Sequence, residues 1–104
     1  MSTFNLAIIT PEGTRFEGAV ESVVVPGVNG LFGVLAHHAP MVSALATGVL
    51  TVTQEGQASL FVVSGGVAEV TPEGVTVLAD QAVKATDPGD VEQKLEELRH
   101  GRKI

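Results

Sequence analysis

The residues best able to do chemistry lie close together in "VVVPGVNGLFGVLAHHAPMVSAL", residues 23–45. Gly27, Gly30 and Gly33 form a G-x-x-G-x-x-G string, and His37 and His38 stand side by side before Ala39-Pro40. Glycine-rich loops hold phosphate when helical N–H groups and a lysine converge on the anion. Here no Gly-Lys-Ser/Thr follows, and the first lysine in the chain is Lys84. The string therefore reads as turn chemistry, with glycine supplying positive φ at no steric cost. Adjacent histidines on a strand point to opposite faces and cannot share one ion without a kink. His100 stands far along the chain, and no carboxylate sits at a familiar ligand spacing from His37 or His38. One histidine is expected to pack within the loop and the other to meet solvent. Ser64-Gly65-Gly66 lacks the Gly-x-Ser-x-Gly pattern of a nucleophile turn, because residue 62 is Val. It reads as a strand break, where glycine lets the backbone bend or a neighbour approach. No catalytic group, metal or cofactor is expected.

The elements that position these residues are strands. "FNLAIIT" (4–10) alternates as a first strand, and Pro11-Glu12-Gly13 turns the chain. "TRFEG" and "VESVVVPG" read as short strands rich in β-branched residues. "GVLTVTQEGQASLFVVSGG" is a hairpin with its turn near Gly56, and "VAEVTPEGVTVLAD" is another, turning at Thr71-Pro72-Glu73-Gly74. "MVSALATG" is read as a strand. Closely spaced strands with no amphipathic helix between them argue an antiparallel sandwich or barrel. After Ala85 the pattern changes. Asp87 offers a cap, Pro88 the first helical position, and Val91, Leu95 and Leu98 a single apolar stripe. Arg99, Arg102 and Lys103 fall at the negative end of that helix. The expected division is a β-sandwich over 1–86 and a short helix over 87–104.

Composition narrows the function. With 104 residues the chain fits one small domain, and with no cysteine it has no disulfide framework or thiolate metal site. The N-terminus lacks the basic start and apolar core of a signal peptide, so an intracellular domain is expected. Net charge is −6, of which residues 1–86 carry −5. Such a body is repelled by nucleic acid and by anionic membrane surfaces, both of which are held mainly by clustered Lys and Arg. The four phenylalanines are the only aromatics, too few for a base-stacking platform.

An ordered set of motifs then carries a resemblance. Pro26-Gly27, Gly30, Gly33-Val34-Leu35, His38-Ala39-Pro40, Gly48-Val49-Leu50, Ser64-Gly65-Gly66 and Val75 to Asp80 with Ala82 fall in one order and spacing over roughly 3–85. In this the chain resembles the epsilon subunit of F-type ATP synthases. The resemblance implies a ten-stranded antiparallel β-sandwich with a C-terminal helical region. It also implies a non-catalytic central-stalk rotor protein that couples the gamma subunit to the membrane c ring, so that ion flow drives ATP synthesis. It places the chain peripherally on the cytoplasmic side of a cell membrane, held there through partners. The glycine stretch is similar to the family's ring-facing loop. Val28, Asn29, Leu31, Phe32, His37, His38 and Met41 are accordingly expected to contact partner chains. Gly27, Gly30, Gly33, Pro40, Gly65 and Gly66 are expected to shape the backbone.

Three departures bear on that reading. Leu31 stands where the family often has an acid, and Ala36-His37 where it usually has Pro-Gly. Only 18 residues follow Thr86, against two antiparallel helices in the family. The family's ATP signature, Leu/Ile-Asp-x-x-Arg-Ala, is not matched after Asp90, so no nucleotide site and weak or absent inhibition are expected. A free-standing β-sandwich adaptor, and a small metal- or phosphate-dependent enzyme using His37 or His38, are the alternatives.

Overall fold

The computed structural model describes residues 2–37 and 39–99, without the Arg99 side chain. Eight strands run in chain order: β1 (Phe4–Thr10), β2 (Gly13–Val20), β3 (Ser22–Gly27), β4 (Gly30–Leu35), β5 (Met41–Ala44), β6 (Gly48–Gln54), β7 (Gln57–Thr71) and β8 (Gly74–Ala85). One helix, α1 (Pro88–Arg99), follows. The strands pair in the order β2-β1-β8-β7-β6-β3-β4, and β5 pairs with β7 off that path.

This sheet becomes two layers because its two longest strands change face midway. On β7, Phe61 and Val63 enter the main core, but beyond Gly65-Gly66 it is Ala68 and Val70 that do so. On β8, Val75, Val77 and Ala79 enter it, and then Ala82. Side chains alternate along a strand, so a change of parity requires a corner. Gly65 and Gly66 form it with φ of 61° and 102°. Neighbours leave no room for a side chain there. A Cβ on Gly66 would overlap the Leu78 carbonyl and approach Ala79 Cα to 2.9 Å. The strand does not break at Ser64-Gly65-Gly66, as the sequence suggests. It bends and keeps one register with β8 throughout.

Divided at the corner, the eight strands give ten segments, five in each layer. One layer holds β2, β1, the first half of β8, the second half of β7, and β5. The other holds the second half of β8, the first half of β7, β6, β3 and β4. The count of eight strands differs from the expected ten, since β7 and β8 each run through both layers, and the sheet is mixed, because β1 and β8 run parallel. Two chain ends of one layer meet there, which no hairpin signal in the sequence reveals. Phe4, Leu6, Ile8, Val23, Val25, Leu50 and Val52 fill the space between the layers. Phe16 meets Phe61 edge-on across it, with centroids 5.7 Å apart. Gln54 Nε2 donates to Ala19 O at 2.8 Å and ties β6 to β2.

The turns follow from their residues. Glu55 and Gly56 both have positive φ, 49° and 77°, and close β6 onto β7 as a two-residue primed turn. The tetrapeptide Thr-Pro-Glu-Gly is used twice, at 10–13 and 71–74. In each copy the Thr Oγ1 donates to the Gly carbonyl, at 3.2 and 3.3 Å, and accepts from the Glu N–H.

The helix docks. Asp90 N–H donates to Asp87 Oδ1 at 2.9 Å, and Thr86 N–H donates to Asp90 Oδ2 at 3.0 Å, so each end of the cap holds the other. Leu95 and Leu98 are buried with Val62 and Ala85, and Val91, Val49 and Leu60 pack around them. Strands end at Ala85 and the helix begins at Pro88. His100, Arg102 and Lys103 lie outside the described residues.

Candidate functional site

The expected loop over residues 28–33 is mostly strand. Gly27 pairs with Gly30, leaving Val28 and Asn29 as the turn, and β4 continues to Leu35. Gly33 interrupts the apolar run in the sequence, which hides the strand. Of the three glycines only Gly30 has positive φ, 121°. Gly33 lies within β4, in open space. Gly27 ends β3 for a different reason: a Cβ there would stand 3.0 Å from both Phe32 and Ser43 Oγ. Its role is close packing rather than an unusual backbone.

The hairpin tip is tied to β5. Val28 N–H donates to Ala44 O at 3.0 Å, and Ala46 N–H donates to Pro26 O at 2.9 Å. The edges of the two layers therefore meet at one end of the molecule, and apolar side chains gather there. Val28 is 56% exposed, Leu31 72% and Met41 43%. Asn29 is exposed beside them. Phe32 differs from expectation: it alternates inward and packs against the core. Two further outward apolar residues, not singled out by the sequence pattern, are Leu35 opposite Ser22 and Val42 opposite Glu69, 66% and 68% exposed. A signal for them exists. Between Glu21 and Glu55 the chain contains no Asp, Glu, Lys or Arg.

His37 is exposed in the turn after β4, with φ of 67°. It is not on a strand, so the opposed-faces argument does not apply to it. His38 lies outside the described residues. Pro40 is exposed and directly precedes β5. Among the described residues no three His, Cys, Asp or Glu side chains come together. An open groove of about 400 Å³ crosses β1, β2 and β8, lined in part by Asn5, Glu17, Thr71, Glu73 and Thr76. The Thr71 hydroxyl in it donates to Gly74 O. No described helix is long and apolar enough to cross a membrane.

The described sandwich thus carries exposed apolar side chains on β4, β5 and the turn before β4, and no grouped metal-ligating residues. Comparison with known proteins places it more closely. Residues 3–85 match the family described as ATP synthase, Delta/Epsilon chain, beta-sandwich domain, and the chain belongs to that family. It is 48% identical over 87 residues to the ATP synthase epsilon chain of Rhodopseudomonas palustris (strain BisA53), covering 84% of this chain and 64% of the relative. It is 51% identical over 82 residues to ATP synthase epsilon chain 1 of Nitrobacter hamburgensis, covering 79% and 61%. The chain thus spans less than two thirds of the length of these relatives. A chain in the Euglena gracilis mitochondrial ATP synthase OSCP/F1/c-ring structure superposes with a TM-score of 0.76 at 28% identity, covering 96% of this chain and 66% of that one. A chain of the Tetrahymena thermophila mitochondrial ATP synthase central stalk/c-ring structure shares the fold, with a TM-score of 0.67 at 8% identity over 96% of this chain and 91% of that one.

Proposed function

We propose that this chain is a central-stalk rotor subunit of an F-type ATP synthase, coupling the gamma subunit to the membrane c ring so that ion flow drives ATP synthesis at distant sites. It is itself non-catalytic and sits peripherally on the cytoplasmic side of the membrane, held by its partners. The observation that carries this reading is the set of exposed apolar side chains Val28, Leu31, Leu35, Met41 and Val42 on β4, β5 and the turn before β4, on a sandwich of this family. Exposed apolar clusters of this kind serve contact with other proteins. Leu31, where the family often has an acid, makes an apolar rather than a polar contact with the ring.

Transmitting torque requires stiffness, and two layers sharing the continuous strands β7 and β8 meet that demand. Shear between the layers is opposed by the backbone that passes from one to the other. The helix has no inhibitory part in this reading, since Leu95 and Leu98 hold it against the sandwich.

Reconstitution with gamma and c ring tests the proposal. Leu31→Asp with Val42→Asp is expected to lower ATP-driven ion pumping at least tenfold while the subunit stays folded. In the intact assembly, amides of 28–33 and 39–42 gain exchange protection. Unchanged protection in both segments, or full coupling in the double variant, refutes it. Removing 87–104 is expected to leave ATP hydrolysis within twofold.

A further inference from the structure

We propose that the edge of β8 over residues 81–85 takes an extended acidic segment of another protein as an added strand, with Arg15 and Lys84 reading its carboxylates. This rests on one strand edge and two cations and not on the rotor reading.

Of the six Lys and Arg in the chain, only Arg15 and Lys84 precede Lys94. The fold brings these two to one place: with Phe61, Ala82 and Val83 they line an open pocket of about 290 Å³. Neither reaches it by simple alternation. Ile8 pairs with Phe16 and Ile9 with Thr14, so Arg15 is the extra residue of a bulge, a device that re-aims a side chain. Lys84 pairs with the core residue Phe61, yet it is exposed, because β8 is the edge strand of its layer here. Among the described residues no carboxylate forms an ion pair with Lys84.

The edge also offers backbone groups. β1 pairs with β8 only from Gly74 to Leu78. Beyond the corner, the direction of the β8 groups follows from one bond. Glu21 N–H donates to Thr53 O at 2.8 Å, so that carbonyl points toward β3 and away from β7. Thr53 and Ala58 are therefore a non-hydrogen-bonded pair, and by alternation Leu60, Val62 and Ser64 bond to Ala85, Val83 and Gln81. The N–H and C=O of Ala82 and Lys84 then face away from β7, on the side that β1 has left. Such an edge accepts an extended peptide through main-chain hydrogen bonds.

A lysine on the inner face of an edge strand ordinarily guards it, because an apolar newcomer would bury an unpaired charge. Arg15 adds to that penalty. A carboxylate opposite Lys84 removes it and makes a charge-assisted bond, so the guard becomes a filter for acidic segments. The neighbouring acids leave room for one. Glu12 lies 3.9 Å from Arg15, with side chains 50% and 43% exposed, a loose pair that a better-placed carboxylate displaces. Glu17 lines the separate groove across β1, β2 and β8, and the Asp80 carboxyl lies over Gly65 at the corner. The net charge of −6 belongs to the whole chain and is screened beyond roughly 10 Å at about 0.1 M salt, so it slows approach more than it weakens contact.

NMR titration of the full chain with acetyl-Thr-Glu-Val-Glu-Thr-amide tests this, since its two Glu side chains fall on one face of a strand. The dissociation constant is expected near about 1 mM, as suits a short seam, with the amides of Ala82 and Lys84 shifted and about fivefold better protected from exchange. Lys84→Glu and Arg15→Gln should each weaken binding about tenfold while the sandwich stays folded. Acetyl-Thr-Lys-Val-Lys-Thr-amide should not bind. Glutarate carries the carboxylates without a backbone and should bind about tenfold more weakly than the acidic peptide. No shift at about 10 mM acidic peptide, equal binding of the lysine peptide, glutarate binding as tightly as the acidic peptide, or unchanged affinity in both variants overturns the proposal.

Discussion

Replacing Gly66 with alanine tests whether the corner in β7 makes the sandwich. The new Cβ overlaps the Leu78 carbonyl and lies 2.9 Å from Ala79 Cα, both backbone atoms of a strand held on two sides. A φ of 102° adds strain of about 1–3 kcal/mol for a residue with a side chain. Displacing packed neighbours adds about 1–3 kcal/mol. The expected loss is about 4 kcal/mol, a large share of the roughly 5–15 kcal/mol that holds a small domain folded. The melting temperature should fall by roughly 16–32 °C. Two other glycines calibrate the scale. Gly56 has φ of 77° but open space, so its alanine variant loses only the backbone strain, about 1 kcal/mol. Gly33 has open space and no positive φ, so alanine there is neutral or stabilises by about 0.5 kcal/mol. Urea unfolding of the three variants at low chain concentration should rank them in that order. If Gly66→Ala unfolds within about 1 kcal/mol of Gly33→Ala, the corner does not require glycine and the reasoning fails.

Other expectations concern the helix. Leu95→Ala or Leu98→Ala removes about 2–3 kcal/mol of packing from a helix too short to persist alone, so residues 88–99 should lose helical circular dichroism and amide protection. The sandwich should remain folded, and collapse of the whole chain would contradict that separation. Asp87→Ala removes the side-chain acceptor of the Asp90 N–H, leaving only the Asp87 carbonyl at 3.1 Å, and should weaken the helix by about 1 kcal/mol, read by exchange of its first turn. The Asp90 carboxyl titrates below its ordinary 3.8, because the Thr86 N–H donates to its ionised form and Lys94 lies 3.8 Å away. Its support is therefore present above the unfolded-state value, about 3.9, and is lost as pH falls through the lower folded value. Carboxyl NMR should show a midpoint below 3.8, and Asp90→Asn should flatten the acid dependence of helix content; a midpoint above 3.8 would refute the assignment.

Much of the fold was legible where local chemistry decides it. Approximate alternation marks Phe4–Thr10, a Glu-Gly pair marks the turn at 55–56, and Asp87-Pro88 marks the helix start. What stayed hidden depends on long-range pairing. The parallel contact between β1 and β8 joins residues about seventy positions apart and leaves no local trace. β4 reads as loop in the sequence because Gly33 breaks its apolar run, while the pairing with Val24 that makes it a strand is visible only in three dimensions.

The surface divides by the same logic. Alternation identifies an inward residue and an outward one but does not say which outward residues a later element covers. Val49, Leu60 and Val62 on one layer look no different in sequence from Leu31, Leu35 and Val42 at the other end. The first set meets Val91, Leu95 and Leu98 of the helix, while the second stays largely exposed. The missing charges between Glu21 and Glu55 separate the two sets only in part, since β6 lies within that stretch and β7 beyond it. An apolar outward strand is therefore covered by its own chain where the helix lies, and left exposed at β4 and β5.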